Sequence, residues 1–205
     1  MVISREFMCT IGMGLSQIIY VMVYIPQIIT NFKEKSGRGL SDLTLLGYLN
    51  ALAVFAYYIF LFGLPSIYKW SVTTQLIAVV TLIGQRLYYD TSMRSWLFRV
   101  MYGSNVIGLF AFIPMSIDNP IGVGYYAGWV AVMLSCLMQL PQVFKIFRER
   151  SVIGFNILFA VFSLLAAGVE LLAALGAGLP VQTVFSALRG VVIGVVWIFQ
   201  FWLYR

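Results

Sequence analysis

The chain has 205 residues, of which 61% are hydrophobic and 10% charged, with a formal net charge of +6 and no histidine. A soluble domain of this size could not bury so much apolar side chain, and a mean hydropathy of +0.94 is typical of an integral membrane protein. No nucleotide loop, nucleophile motif or metal-ligand cluster is present, so we expect no enzyme activity, no cofactor and no metal.

Apolar segments of about 20 residues, the length that crosses a bilayer as a helix, follow one another along the chain. The predicted spans are residues 7–30, 42–62, 71–89, 97–115, 124–146, 155–176 and 181–203. The first is too long for a signal peptide and lacks a clear cleavage site, so we interpret it as a helix. The sequence therefore predicts an all-α integral membrane protein with seven transmembrane helices and no soluble domain.

Basic residues gather on one side of the membrane if the seven spans alternate in direction. That side holds Lys33, Lys35, Arg38, Arg86, Arg94, Arg99, Lys145, Arg148, Arg150 and Arg205, and the other holds only Arg5 and Lys69. Cytoplasmic loops are enriched in lysine and arginine, so we predict an N-terminus that is outside or luminal and a cytoplasmic C-terminus. The same rule accounts for the net charge of +6, so the basic residues do not indicate a nucleic-acid partner. We expect the lipid bilayer to surround the protein.

The two halves of the sequence repeat each other without a gap. Pro26-Gln27 recurs 115 positions later as Pro141-Gln142, and Gly63-Leu64-Pro65 recurs as Gly178-Leu179-Pro180. A three-helix unit crosses the membrane an odd number of times, so one extra crossing is needed to make its two copies parallel. We predict a 3+1+3 architecture with a first repeat at 1–96, a linker helix at 97–116 and a second repeat at 117–205.

Each Pro-Gln pair lies inside a predicted span, near its cytoplasmic end. Proline removes a backbone hydrogen bond and bends a helix, and the neighbouring glutamine can satisfy the freed carbonyl. Because the pair occurs twice at matched depth, we predict that Pro26, Gln27, Pro141 and Gln142 act as hinges that gate a solute path. A static kink that only shapes packing is the alternative.

Polar residues at helical spacing form stripes that should face the bundle interior rather than lipid. The candidate substrate-binding residues are Gln85, Gln200, Thr81, Asn105 and Ser163. Interhelical hydrogen bonding without a cavity is the alternative interpretation.

Glu170 and Arg189 lie well inside apolar spans. They have similar depth on helices joined by a short turn, which predicts an ion pair. Charges inside a membrane mark functional sites by default, so we expect a substrate or a proton to break this pair. A structural lock is the alternative.

Two Pro-Gln motifs in a seven-helix 3+1+3 chain resemble the PQ-loop transporters, which share the fold of the sugar-carrying SWEETs. Tyr24-Ile25-Pro26-Gln27, Gly39-Leu40-Ser41 and the ending Phe201-Trp202-Leu203-Tyr204-Arg205 resemble the cystinosin branch. The resemblance implies alternating-access transport of a small amino-acid-like solute, coupled to protons. In that branch, one aspartate lies where this chain has Ser163, and another lies in the seventh span, where this chain has no acid. The resemblance implies that those aspartates couple transport to protons, so Glu170 is the candidate to replace them.

The sequence favours a transporter of an amino acid or derivative, in the cytoplasmic membrane of a bacterium or the lysosomal or vacuolar membrane of a eukaryote. A SWEET-type sugar facilitator is the first alternative, favoured by Gln85, Gln200 and Asn105. A cargo receptor of the KDEL-receptor type is the second, although it should expose more charge at its luminal mouth than Arg5 and Asp118. The sequence leaves the oligomeric state open, a homo-oligomer included.

Overall fold

The computed structural model describes residues 5–90, 96, 99–103 and 119–205. Its long helices are α1 (Arg5–Glu34), α2 (Asp42–Leu61), α3 (Ser66–Tyr89), α4 (Pro120–Glu149), α5 (Ile157–Ala177) and α6 (Val181–Tyr204). All six are long and apolar enough to cross a membrane, and they correspond to predicted spans 1–3 and 5–7. Most of the predicted linker helix, 97–116, lies outside the described residues, as do Arg94, Asn105 and Asp118.

The helix boundaries follow the sequence repeat. The helices α1, α2 and α3 begin 115 positions before α4, α5 and α6 respectively. The residues that follow α1 and α4, Lys35 and Arg150, both have left-handed backbones, with φ of 50° and 46°. Non-glycine residues rarely adopt this conformation, so its duplication shows that the two halves end their first helix in the same way.

The second and third helices of each half also start alike. Ser41 caps α2 by accepting a hydrogen bond from the Thr44 amide, and Asn156 caps α5 by accepting one from the Leu158 amide. Pro65 and Pro180 immediately precede α3 and α6. These caps satisfy amides that a helix start leaves unpaired, and they fix the short turns between neighbouring helices.

The described helices pack into a closed ring in the order α1, α5, α6, α4, α2, α3. The most extensive contacts join the two halves, α1 with α5 and α2 with α4. Each helix therefore lies across the ring from its own repeat mate, and a pseudo-twofold axis passes through the centre. We refer to the two ends of this axis as the Pro-Gln end and the opposite end.

Small residues bring the helices close together, as is usual in membranes. A Cβ on Gly47 would lie 2.4 Å from Met138 Cβ, and one on Gly190 would lie 2.7 Å from Ala167 Cβ. The outer surface of the ring is apolar, with many large exposed side chains such as Ile18, Ile77 and Leu172. An apolar exterior around a polar centre is the arrangement expected of a bundle that lipid surrounds.

Candidate functional site

A cavity of about 80 Å³ lies at the centre of the ring. Its lining includes six pairs of repeat mates: Tyr20 and Ser135, Val23 and Met138, Tyr24 and Gln139, Tyr48 and Ser163, Phe55 and Glu170, and Gln75 and Gly190. Since both members of each pair face the same space, the cavity lies on the pseudo-twofold axis. It has room for a few water molecules or a small solute.

The chemistry of the lining does not follow the symmetry of the backbone. Glu170 stands opposite its mate Phe55. Arg189 also lines the cavity, whereas its mate Thr74 donates its hydroxyl to the Trp70 carbonyl at 2.9 Å. Both charges of the cavity therefore come from the second repeat.

The Glu170 carboxylate is held from α1. Its side chain is buried, and Oε1 accepts a hydrogen bond from Gln17 Nε2 at 3.2 Å. The Tyr20 hydroxyl faces the carboxylate, and the Tyr68 hydroxyl lies near it without completing a hydrogen bond to any described residue. An acceptor surrounded by amide and phenol donors is well suited to remain in an apolar bundle.

The Arg189 guanidinium is held from α4. Its Nη1 donates to Gln139 Oε1 at 2.6 Å and to the Ser135 carbonyl at 3.2 Å. The Gln139 side chain in turn donates to the Tyr48 hydroxyl at 3.4 Å. Arg189 Nε is buried and has no partner among the described residues, so this guanidinium keeps a donor that a ligand could use.

The direct ion pair expected between Glu170 and Arg189 is not formed. Ion pairs within 4 Å between described residues involve only Arg86, which contacts Asp42 at 2.8 Å and Asp90 at 3.0 Å. Glu170 turns toward α1 and Arg189 toward α4, and an amide engages each. The similar depth of the two residues and the adjacency of their helices correctly predicted that both charges lie near each other. The neutral amides of Gln17 and Gln139 bind them instead of a direct ion pair.

The other candidate substrate residues lie in different places. Ser163 lines the cavity and donates to the Phe159 carbonyl at 2.7 Å. Thr81 is exposed on the outer face of α3 and donates to the Ile77 carbonyl, so it does not reach the cavity. Asn105 lies outside the described residues.

Gln85 and Gln200 brace the Pro-Gln helices and do not line the cavity. Gln85 donates to the Ile28 carbonyl at 3.0 Å, and Gln200 donates to the equivalent Val143 carbonyl at 2.9 Å. Gln85 is ten residues further along α3 than the cavity residue Gln75, which places it about 15 Å away along the helix axis. The polar stripe of α3 therefore predicted the inward face for Gln85 but not for Thr81, and it did not predict the depth of the cavity.

The two Pro-Gln glutamines bind backbone groups across the axis, and neither was found to satisfy the carbonyl that the neighbouring proline frees, as the sequence had led us to expect. Within its own helix, Gln27 also donates to the Asn31 side-chain oxygen at 2.8 Å. Gln27 donates to the Gly154 carbonyl at 2.9 Å and accepts from the Asn156 amide at 3.0 Å. Gln142 makes the matching contacts with the Gly39 carbonyl at 3.2 Å and the Ser41 amide at 2.8 Å.

Gly39 and Gly154 meet between the two glutamines. A Cβ built on Gly39 would lie 1.9 Å from the Gly154 carbonyl oxygen. Together with the four cross-axis hydrogen bonds, this contact closes the Pro-Gln end.

An aromatic layer separates the cavity from that closure. The rings of Tyr24, Tyr48 and Phe159 pack edge to face with centroids 5.7 to 6.2 Å apart. Sequence reasoning missed this layer, together with Gln17 and Gln139. The glutamines were visible as amides inside apolar spans, whereas the aromatic residues have no sequence signal that distinguishes them from ordinary core residues.

A ring of two helix triplets around an axial polar cavity, built from helices long and apolar enough to cross a membrane, is the architecture of an integral membrane protein. The model of the PQ-loop repeat family matches residues 13–68 and 123–183, one segment in each half. Together these segments cover more than half of the chain, which therefore belongs to the PQ-loop repeat family.

A solved structure of a eukaryotic SWEET transporter has the same fold. It matches with a TM-score of 0.73 over 98% of each chain, at 16% sequence identity. The search of curated protein sequences gave no match. The predicted 3+1+3 fold is thus confirmed, and the family and fold are those of membrane transporters and not of enzymes.

Proposed function

We propose that the protein carries a small zwitterionic solute, an amino acid or a close derivative, across the membrane by alternating access. The observation that carries the proposal is that Glu170 and Arg189 line one small cavity without pairing with each other. A solute with an ammonium group and a carboxylate would present one opposite charge to each.

Electrostatics supports a solute with both charges. Isolated charges inside a membrane are costly and are retained mainly where they serve a function. A zwitterion would compensate the carboxylate and the guanidinium when water leaves the cavity. A solute with only one charge would leave the other side chain without a counterion in a medium that screens poorly.

The closure at both ends of the ring fits an occluded state. The cross-axis glutamine contacts close the Pro-Gln end. Toward the opposite end, α1 and α5 approach closely at Gly12 and Ala173, and the hydroxyls of Tyr58 and Thr183 are 3.3 Å apart. Transport would open one end at a time, with residues 1–96 and 117–205 moving as two units joined by 97–116.

The positively charged flanks support a cytoplasmic Pro-Gln end. Pro26 and Pro141 remove a backbone hydrogen bond one residue before the glutamines that close this end. They are therefore the proposed hinges. Glu170 is the proposed proton-coupling residue, because it is the only acid that lines the cavity among the described residues.

A sugar facilitator is the second candidate function. The likeness to a SWEET transporter and the hydroxyls of Tyr20, Tyr24 and Tyr48 in the lining favour it. Under this alternative, Glu170 and Arg189 would keep Gln17 and Gln139 as their partners and would take no counterion from the neutral solute.

Counterflow in liposomes loaded with single amino acids or sugars distinguishes these functions. We expect external labelled amino acid to accumulate against the same internal amino acid, whereas its methyl ester, its deaminated analogue and glucose do not support exchange. Thr81→Ala, on the outer face of α3, is the matched control and should exchange like the wild type. Exchange of sugars alone would favour the second candidate and contradict the first.

A further inference from the structure

Resting on the proposed function, we infer that the solute's side chain lies against an apolar wall of α2 formed by Ala51, Leu52 and Phe55. The transported class is then small amino acids with short apolar side chains. Neither the family nor the SWEET likeness assigns this subsite.

The wall lies on one face of a single helix. The cavity-lining residues of α2 are Tyr48, Ala51, Leu52 and Phe55, which follow the i, i+3, i+4, i+7 spacing of a helix face. Apart from the Tyr48 hydroxyl at one end, this face presents only hydrocarbon to the cavity. It has no group that could bind an ammonium, a carboxylate or a polar side chain.

The wall stands across the cavity from the acidic helix. The helices α2 and α5 occupy opposite positions in the ring, and Phe55 is the repeat mate of Glu170. An amino acid whose ammonium binds Glu170 and whose carboxylate binds Arg189 must direct its third substituent away from α5 and α6. That direction leads to α2 and α3. The cavity-lining residue of α3 is Gln75, whose amide nitrogen donates to Ser71, so the apolar surface on this side is the α2 wall.

Several polar side chains around the cavity already bind one another, and the α2 wall adds no polar group, which favours an apolar side chain. Gln17 donates to Glu170, and Gln139 binds both Arg189 and Tyr48. The Ser163 hydroxyl donates to the Phe159 carbonyl, and Gln75 donates to Ser71. Against the α2 wall, a polar side chain would lose its water without meeting a partner, whereas an apolar one would lose no hydrogen bonds.

The small cavity limits the length of that side chain. Phe55 closes one end of the wall and packs on Tyr58, with ring centroids 5.6 Å apart. Ala51 contributes only a methyl group and is 2% exposed. Shortening Phe55 should therefore lengthen the subsite, while enlarging Ala51 should fill it.

The test is a competition assay against uptake of labelled L-valine in liposomes, with L-alanine, L-leucine, L-phenylalanine and L-asparagine as competitors. For the wild type we expect alanine and valine to compete best and asparagine to compete poorly. Phe55→Ala should improve competition by leucine or phenylalanine relative to alanine about tenfold, the scale of one or more methylenes in a hydrophobic pocket. Phe60→Ala, on the exposed face of the same helix, is the matched control and should keep the wild-type order.

A second variant and a second measurement keep the test valid if Phe55→Ala folds poorly. Phe55→Leu should shift the same order in the same direction, and thermal shift of the detergent-purified protein with L-leucine against L-alanine reports the preference without transport. An unchanged competitor order in the folded variants, or asparagine equal to valine in the wild type, overturns the apolar subsite but leaves the proposed function intact. If no zwitterion competes or binds in the wild type, the proposed function itself is wrong and the subsite falls with it.

Discussion

Gln27 and Gln142 each bind the loop that begins the second helix of the other repeat, so one glutamine from each half holds the opposite half closed. The four hydrogen bonds obey the pseudo-twofold symmetry and use both the amide nitrogen and the oxygen of each side chain. Closure at this end therefore depends on contacts between the repeats, which makes it separable from the folding of either repeat.

Replacing both glutamines with leucine should open the Pro-Gln end. Gln27→Leu removes the partner of the Gly154 carbonyl and of the Asn156 amide, and Gln142→Leu removes the partner of the Ser41 amide and leaves the Gly39 carbonyl with only Lys145 Nζ at 3.4 Å. Each buried group left unpaired costs about 1–3 kcal/mol. A single cysteine at position 163, in a background lacking Cys9 and Cys136, should then react faster with a membrane-impermeant thiol reagent supplied from the Pro-Gln side. Gln85→Leu, which removes a contact within one repeat, is the control; equal labelling in all three proteins would show that the glutamines do not hold the closure.

A methyl group at Gly39 should prevent the same closure by a steric route. A Cβ at this position would overlap the Gly154 carbonyl oxygen, so Gly39→Ala should favour the state that is open at the Pro-Gln end. Gly14→Ala is the matched control, because nothing lies within 4 Å of a Cβ built there. The measurement is the same labelling rate at position 163, and a rate no higher than that of the control would contradict the proposed close approach.

The hinge role of the prolines can be tested separately from closure. Pro26→Ala or Pro141→Ala restores a backbone donor in the interior of α1 or α4 and should straighten that helix. We expect folded protein with slower solute exchange, measured as the counterflow rate per molecule. Unchanged rates in both variants would indicate a static kink.

Glu170 and Arg189 should be coupled through the cavity even though they form no direct ion pair. Each single change, Glu170→Gln or Arg189→Gln, leaves one intramembrane charge uncompensated, at a cost of up to a few kcal/mol. In a double-mutant cycle on thermal stability, the double variant should be more stable than the sum of the singles implies. It should nevertheless remain inactive in counterflow, because both solute contacts are lost. Strictly additive stability losses would show that the two charges act independently.

The sequence predicted the duplication, the six spans that lie within the described residues and the nearness of Glu170 to Arg189, because each follows from local pattern and composition. It could not predict which groups meet across the axis. From the sequence, each Pro-Gln glutamine could equally have bound the carbonyl freed in its own helix. Only the tertiary fold shows that Gln27 donates to the Gly154 carbonyl and Gln142 to the Gly39 carbonyl. Gln85 and Gln200 were placed in the site because a helical stripe fixes the face of a residue but not the level at which a cavity opens.

The most direct test of the central claim is equilibrium binding of a neutral amino acid and its two singly charged analogues to the wild type, Glu170→Gln and Arg189→Gln. We expect the wild type to bind the zwitterion best, and each variant to lose roughly tenfold to a hundredfold in affinity for it, the scale of a hydrogen bond to a charged group. Glu170→Gln should lose its discrimination against the deaminated acid, and Arg189→Gln its discrimination against the methyl ester. Equal affinity of all three proteins for the zwitterion, or for a sugar in its place, would contradict the assignment of Glu170 and Arg189 as the two ends of the solute site.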